Sequence, residues 1–276
     1  MLVLQVIWAI GVSMIVLAGL VYLPRTAILA TGILLVAGHN LLDPVHVTAP
    51  PLNYVWSALH EFAILRISRE FTVFLVYPVL PWVGLMALGY CTGILYRKDF
   101  REDLRRRILL ALGTSCIVLF LVLRFLSAYG DGQTFEEYPA FSHSVYDFLN
   151  TTKYPPSLHF LLMTIGPALL LLAFTEKFRN KVATVLVTIG RVPLFYYVLH
   201  LYLIHTLAVT TALLSGYSWR EFGFGPGIGS FPASYGFDLG TVYVFWLLVL
   251  LLLYPLCKRF ARYKALHKNN RLLSYL

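Results

Sequence analysis

The chain has 276 residues, of which 59% are hydrophobic and 13% are charged, and its mean hydropathy is +0.74. A water-soluble domain of ordinary composition has no interior large enough for this much apolar surface, so the composition excludes one. The net charge of +9 does not indicate nucleic-acid binding, because the Lys and Arg residues form short clusters between apolar runs. We therefore predict an integral membrane protein.

Seven apolar segments are long enough to cross the roughly 30 Å hydrocarbon core of a bilayer as helices. They are Leu2–Leu23, Thr26–Asp43, Val73–Tyr96, Ile108–Ala128, Ser157–Phe174, Val192–Leu214 and Leu239–Cys257. No internal repeat or low-complexity linker separates them, so we expect residues 1–276 to form a single domain. The sequence thus predicts an all-α polytopic bundle of about seven transmembrane helices.

The Lys and Arg residues of the connecting loops predict the orientation of this bundle. Most of the 22 fall on one side, in the loops 97–107 and 177–191 and in the tail after residue 257. The positive-inside rule places that side and the C-terminus in the cytoplasm, and the N-terminus outside. An apolar helix that starts at residue 2 on the outer side is typical of a chain without its leading helices, so we expect an N-terminal truncation.

The first cluster of polar residues lies at the outer end of the second predicted helix, in Gly38-His39-Asn40-Leu41-Leu42-Asp43-Pro44. His39 and Asp43 are four residues apart and would share one helix face. Because a carboxylate can orient an imidazole as a general base, both are candidate catalytic residues. The alternative is a His and an Asp that cap a helix stopped by Pro44.

The sixth predicted helix carries two histidines and begins beside an arginine. Pro193 suits its first turn, so His200 would lie near mid-membrane and His205 towards the outer leaflet. We predict both as substrate-binding residues, the alternative being that each packs against a neighbouring helix. Their spacing of five differs from the i, i+4 pair of zinc sites, and we expect no metal. Arg191 could hold the phosphates of a cofactor or could anchor the topology.

Aromatic and polar groups also gather where the third and fifth helices meet the outer interface. Trp82 lies near the outer end of helix three, and Lys153 and Tyr154 lead into helix five. Trp and Tyr at this depth usually belong to an interfacial belt, but Pro78 and Pro81 free carbonyl groups that neighbouring protein or a cavity has to satisfy. We predict Trp82, Lys153 and Tyr154 as substrate-binding residues.

Taken together, these motifs resemble a known family. They comprise Gly38-His39-Asn40-Leu41-Leu42-Asp43, Tyr77-Pro78 with Pro81-Trp82 and Gly84, Gly89-Tyr90 with Gly93, Lys153-Tyr154-Pro155-Pro156-Ser157, and Gly190-Arg191-Val192-Pro193-Leu194-Phe195-Tyr196-Tyr197. They are similar to motifs of the heparan-alpha-glucosaminide N-acetyltransferase-like membrane proteins, and the similarity runs through essentially the whole chain.

The resemblance implies a bundle of about ten helices that takes an acetyl group from cytoplasmic acetyl-CoA and delivers it to a sugar amine or hydroxyl on the far side. It further implies a bacterial inner-membrane location, with membrane lipid and a sugar or glycan acceptor as partners. The family's leading helices, which are thought to carry its catalytic His, have no counterpart here, so that role is not transferred to any residue. The alternatives are a carrier of a small polar solute, with His39, His200 and His205 along its path, and a non-catalytic membrane scaffold.

Overall fold

The structure is a computed structural model that describes residues 2–69, 71–127, 129–136, 138–222, 231–232, 234–267, 269–270 and 273. These residues are predominantly helical, which confirms the predicted all-α class. The chain divides into two compact units, Met1–Glu176 and Lys177–Leu276.

The first unit contains the helices α1 (Val6–Leu20), α2 (Arg25–Gly38), α3 (Leu52–Leu59), α4 (Leu80–Thr92), α5 (Glu102–Leu126), α6 (Phe141–Leu149) and α7 (Leu158–Thr175). The second unit contains α8 (Lys181–Gly190), α9 (Pro193–Leu214) and α10 (Leu239–Leu266). Short 3-10 helices follow α2 at His39–Leu42, follow α4 at Gly93–Tyr96, and lie between α9 and α10 at Trp219–Glu221.

Five helical segments in the described chain are long and apolar enough to cross a membrane, as expected of an integral membrane protein. They are Arg25–Leu42, Glu102–Leu126, Leu158–Thr175, Pro193–Leu214 and Leu239–Leu266. Three shorter apolar helices are Val6–Leu20, Leu80–Tyr96 and Lys181–Gly190. Large apolar side chains remain exposed along the spanning helices, because lipid and not water is their solvent.

Each of the seven predicted segments contains a helix, but the structure differs from the prediction in two regions. The segment predicted to start as a helix at Val73 begins as a strand, and α8 occupies most of a region predicted as a basic loop. Ala128, the predicted end of the fourth segment, lies outside the described residues.

A three-stranded sheet accounts for the first of these differences. Its strands are β1 (Leu2–Leu4), β2 (Ala63–Arg66) and β3 (Thr72–Leu75), in the order β1-β3-β2, with β1 parallel and β2 antiparallel to β3. The sequence Thr-Val-Phe-Leu of β3 is β-branched and aromatic, which favours a strand. The helix α4 can begin only after Pro78, with Pro81 in its first turn.

Facing glycines let two pairs of helices approach closely. Between α2 and α4, a Cβ atom on Gly84 would lie 2.8 Å from Leu35 Cβ and 3.1 Å from the carbonyl oxygen of Gly32. Between α5 and α7, a Cβ atom on Gly113 would lie 2.9 Å from the carbonyl oxygen of Gly166. Because lipid provides no hydrophobic drive for helix association, such close packing is expected to stabilise both helix pairs.

Polar contacts reinforce the α5–α7 pair at the end of the first unit where α5 begins, which we call the Arg105 end. Arg105 forms a largely buried salt bridge with Glu176, donates to the carbonyl of Leu95 at 3.1 Å, and lies 5.2 Å from the centre of the Tyr96 ring. A guanidinium held by a carboxylate, a carbonyl and a ring is fixed in one position. The opposite end of this unit, where α2 ends, is the His39 end.

We expect Gly84→Ala to lower the melting temperature, because the added methyl group overpacks the α2–α4 contact at a cost of about 1–3 kcal/mol. Gly89→Ala is the matched control in the same helix, since nothing lies within 4 Å of a Cβ atom there and alanine favours the helix by up to about 1 kcal/mol. Thermal unfolding of both variants in one detergent measures the difference. Equal melting temperatures would contradict the proposed packing.

Candidate functional site

A cavity of about 570 Å³ opens at the His39 end of the first unit. Its lining residues are Asn40, Asp43, His46, His60, Glu61, Phe62, Gly132, Gln133, Thr152, Pro155 and Ser157. Among the described residues, the lining holds two carboxylates and two imidazoles but no Lys or Arg, although the chain carries a net charge of +9. Its polar groups are therefore suited to accept hydrogen bonds from hydroxyl or amino groups of a ligand.

A buried imidazole and a carboxylate form a pair in this cavity. His60 Nε2 lies 3.0 Å from Asp43 Oδ1, and Asn40 Nδ2 donates to Asp43 Oδ2 at 2.9 Å. The His60 residue is 1% exposed, and its Nδ1 atom has no hydrogen-bond partner among the described residues. When Nε2–H donates a hydrogen bond to the carboxylate, Nδ1 carries the lone pair, which is the arrangement of a general base oriented by a carboxylate.

The predicted contact between Asp43 and His39 is wrong, and the reason is a change of helix type. The α-helix ends at Gly38, and the chain continues as a 3-10 helix over His39–Leu42. With three residues per turn, side chains at i and i+3 align and those at i and i+4 diverge. Asn40 therefore meets Asp43, and the partner of Asp43 is His60, which follows it by 17 residues.

His39 has a different environment from the one its spacing predicted. The ring is buried, with Nε2 at 2.8 Å from the carbonyl oxygen of Pro156 and Nδ1 at 3.0 Å from those of Leu35 and Val36. Backbone carbonyl oxygens thus face both ring nitrogens, so neither nitrogen is left to bind a substrate. His39 joins α2 to the segment before α7, and its catalytic role stays a prediction.

The predicted substrate-binding residues of the first unit come together around Tyr77. The Tyr77 ring lies 5.7 Å from Trp82 and 5.3 Å from Tyr154, and Lys153 Nζ lies 5.1 Å from the centre of the Tyr154 ring. The hydrogen bond with Tyr77, together with the ammonium group of Lys153, lowers the pKa of Tyr154. We call Tyr77, Trp82, Lys153 and Tyr154 the aromatic platform.

One aspartate fixes the segment 152–157, which bears residues of both the cavity and the aromatic platform. Asp131 accepts hydrogen bonds from the amide of Thr152 at 2.9 Å, from its hydroxyl at 2.6 Å and from the Ser157 hydroxyl at 3.0 Å. Ser157 also caps the N-terminus of α7, and Asn40 Oδ1 accepts from the amide of Leu158 at 2.9 Å. The cavity wall is therefore part of the helix cap and is preorganised.

Arg124 anchors the neighbouring loop and α6 by a contact that sequence reasoning missed. Its buried guanidinium donates to the carbonyls of Gln133 at 2.6 Å, Phe148 at 3.0 Å, Asp147 at 3.0 Å and Asn150 at 3.2 Å. Three of these carbonyls belong to the C-terminal end of α6, where unsatisfied acceptors and the helix dipole favour a cation. Arg124 thus serves as the C-terminal cap of α6.

The predicted cofactor-binding residue, Arg191, lies in the second unit. It is exposed and caps the C-terminus of α8, whereas the sequence predicted it at the start of the next helix. Pro193 begins α9 in its first turn, as predicted. The backbone carbonyl of Arg191 accepts a hydrogen bond from Lys264 at 3.3 Å, so two cationic side chains belong to this junction.

The two histidines of α9 differ in their surroundings. His200 is half-buried, and its Nδ1 atom contacts the backbone carbonyls of Tyr196 and Tyr197 one turn earlier. Its ring stacks on that of Tyr196, with the centroids 5.4 Å apart. His205 is exposed, and its ring centroid lies 6.4 Å from that of Phe231. Their substrate-binding role stays a prediction.

Residues 1–129 match the family model of the heparan-alpha-glucosaminide N-acetyltransferase catalytic region. This part of the chain is similar to that family. The matched part includes the Asp43–His60 pair, Trp82 and Arg124, and it supports a membrane acetyltransferase-like function. No curated protein and no solved structure was found to match the chain.

We expect Arg124→Gln to destabilise the first unit, because it leaves carbonyls at the end of α6 without donors. The loss of several hydrogen bonds from a buried charge costs on the order of 3 kcal/mol. Arg97→Gln is the control, since Arg97 is exposed and lies 3.7 Å from an exposed Asp99. Melting temperature and the rate of proteolysis within α6 report the effect, and identical values for the two variants would contradict the capping role.

Proposed function

We propose that the protein transfers an acetyl group from acetyl-CoA to an amine or hydroxyl group of a sugar, and that the His39 end lies on the outer side of a bacterial inner membrane. The family match over residues 1–129 supports the reaction class. The observation that carries the proposal is the buried His60, whose Nε2 pairs with Asp43 while Nδ1 has no described partner. The basic loops and tail of the sequence support the orientation.

His60 acts in this proposal as the general base. Its Nδ1 atom takes the proton of the acceptor amine or hydroxyl while the new C–N or C–O bond forms at the acetyl carbon. The C–S bond of the thioester breaks, and the proton passes to the departing sulfur, so the products are the acetylated sugar and CoA. Asp43 stabilises the imidazolium that forms between these steps, and Asn40 keeps the carboxylate in place.

Access to Nδ1 requires a local change of packing. The atom is covered in the structure, and the Trp56 ring lies with its centroid 5.4 Å from that of His60. Catalytic hydrogen bonds often form only in the complex with substrate, so we propose that acceptor binding displaces the Trp56 side chain.

The aromatic platform is the proposed binding surface for the sugar ring. Flat aromatic faces offer apolar contact area to a sugar ring, and the ammonium of Lys153 can donate to its hydroxyl groups. The segment 152–157 places this platform beside the cavity, since Thr152, Pro155 and Ser157 line the cavity and Lys153 and Tyr154 belong to the platform.

The second unit contains the proposed binding site for the acetyl donor, acetyl-CoA. Arg191 and Lys264 are cationic side chains at the α8–α9 junction, where the amides of the first turn of α9 also favour an anion. We propose that they hold the phosphates of acetyl-CoA. His200 and His205 remain the proposed substrate contacts on α9.

We expect His60→Gln and Asp43→Asn each to lower the acetyl-transfer rate by about 10²-fold or more, because the base and its orienting carboxylate are lost. Transfer of labelled acetyl groups from acetyl-CoA to glucosamine by the purified protein measures this. His267→Gln, at the exposed end of α10, is the control and should retain the full rate. Unchanged transfer by a folded His60→Gln variant would remove the proposed mechanism, and loss in His39→Gln alone would return the base role to His39.

A further inference from the structure

An apolar groove of about 610 Å³ lies between the end of α5 and α6. Leu121 and Phe125 of α5 form one side, and Phe135, Phe141, Val145 and Phe148 form much of the rest. None of the described residues that line it is charged. A groove of this composition is suited to a hydrocarbon chain and to few other ligands.

The position of the groove is that of a lipid interface. Leu121 and Phe125 belong to the last two turns of a helix long enough to span a membrane. Phe125 is 73% exposed and Phe141 is 83% exposed. The apolar residues of α6 share one face while polar ones occupy the other, which is typical of a helix that lies in the plane of the membrane surface.

A polar pocket of about 550 Å³ adjoins the apolar groove, and the two share Tyr138 and Leu149. Side chains that line this pocket include His143, Tyr146 and Asp147. A chain-binding groove next to hydrogen-bonding groups matches the two parts of an amphiphile, a hydrocarbon tail and a polar head.

The groove also lies close to the candidate active site along the chain. Gln133 lines the cavity that contains His60, and Phe135 lines the groove. Two residues of chain span at most about 7 Å, so one short strip of backbone separates the two spaces. Arg124 fixes this strip through the carbonyls of Gln133 and Phe148, and the groove and the cavity therefore keep a constant spacing.

We propose that the acceptor of the acetyl group is a lipid-linked sugar, whose hydrocarbon chain occupies this groove while its sugar reaches the cavity. This inference rests on the proposed function and narrows its acceptor to an amphiphile. A groove for bulk membrane lipid does not need the polar pocket beside it.

The acceptor series that tests this proposal is glucosamine, octyl glucosaminide and dodecyl glucosaminide, with labelled acetyl-CoA as donor. We expect KM to fall as the alkyl chain lengthens. Val145→Trp fills the groove and should raise KM for dodecyl glucosaminide about tenfold, with KM for glucosamine unchanged. Val187→Trp is the matched control, an exposed valine on α8, and should change neither value. Equal KM values for all three acceptors in the unmodified protein would overturn the proposal.

A binding measurement separates this inference from the proposed function. A photoreactive dodecyl glucosaminide is crosslinked to the protein in nanodiscs, and the labelled peptides are identified by mass spectrometry. We expect labelling of α6 and the end of α5 that unlabelled dodecyl glucosaminide suppresses and excess phospholipid does not. Equal suppression by phospholipid shows a structural lipid site only and overturns the proposal. Selective labelling without any acetyl transfer supports the groove as an amphiphile site and overturns the acetyltransferase function.

Discussion

Inside a bilayer, backbone N–H and C=O groups that leave a helix need partners within the protein, because lipid offers none. The His39 end of the first unit meets this constraint with polar side chains at each helix end. His39 contacts the carbonyl of Pro156, Ser157 and Asn40 cap α7, and Arg124 caps α6. These bonds hold together the loops in which the candidate site is built.

This need for hydrogen-bond partners within the protein also distinguishes residues with a structural role from residues that could act in catalysis. His39 and Arg124 are both buried, and their polar atoms are directed at backbone carbonyls. His60 is equally buried, but one ring nitrogen pairs with Asp43 and the other has no partner among the described residues. An unsatisfied nitrogen in a dry environment is costly, and such costs persist mainly where function requires them. His159 is also buried without described partners for its ring nitrogens, so the base role is assigned to His60 because its other nitrogen pairs with a carboxylate.

Much of the architecture followed from the sequence because hydrophobic length determines where a helix can span a bilayer. The start of α9 at Pro193 also agrees with what its motif indicated. The Asp43–His60 contact could not be predicted in this way. It depends on a 3-10 turn after α2 and on a loop that returns after 17 residues, and neither has a periodic signature. The strand at Thr72–Leu75 was hidden for a related reason, since a short apolar run fits a strand and a helix equally well.

The proposed function requires that an acceptor group bind in the cavity of the first unit and meet His60. A structure of the protein determined with CoA and an N-acetylated alkyl glucosaminide would test this requirement. We expect the acetamide group to lie within hydrogen-bond distance of His60 Nδ1, with the Trp56 side chain displaced and the Asp43–His60 contact kept. A sugar bound elsewhere, with the His60 ring still covered, would contradict it.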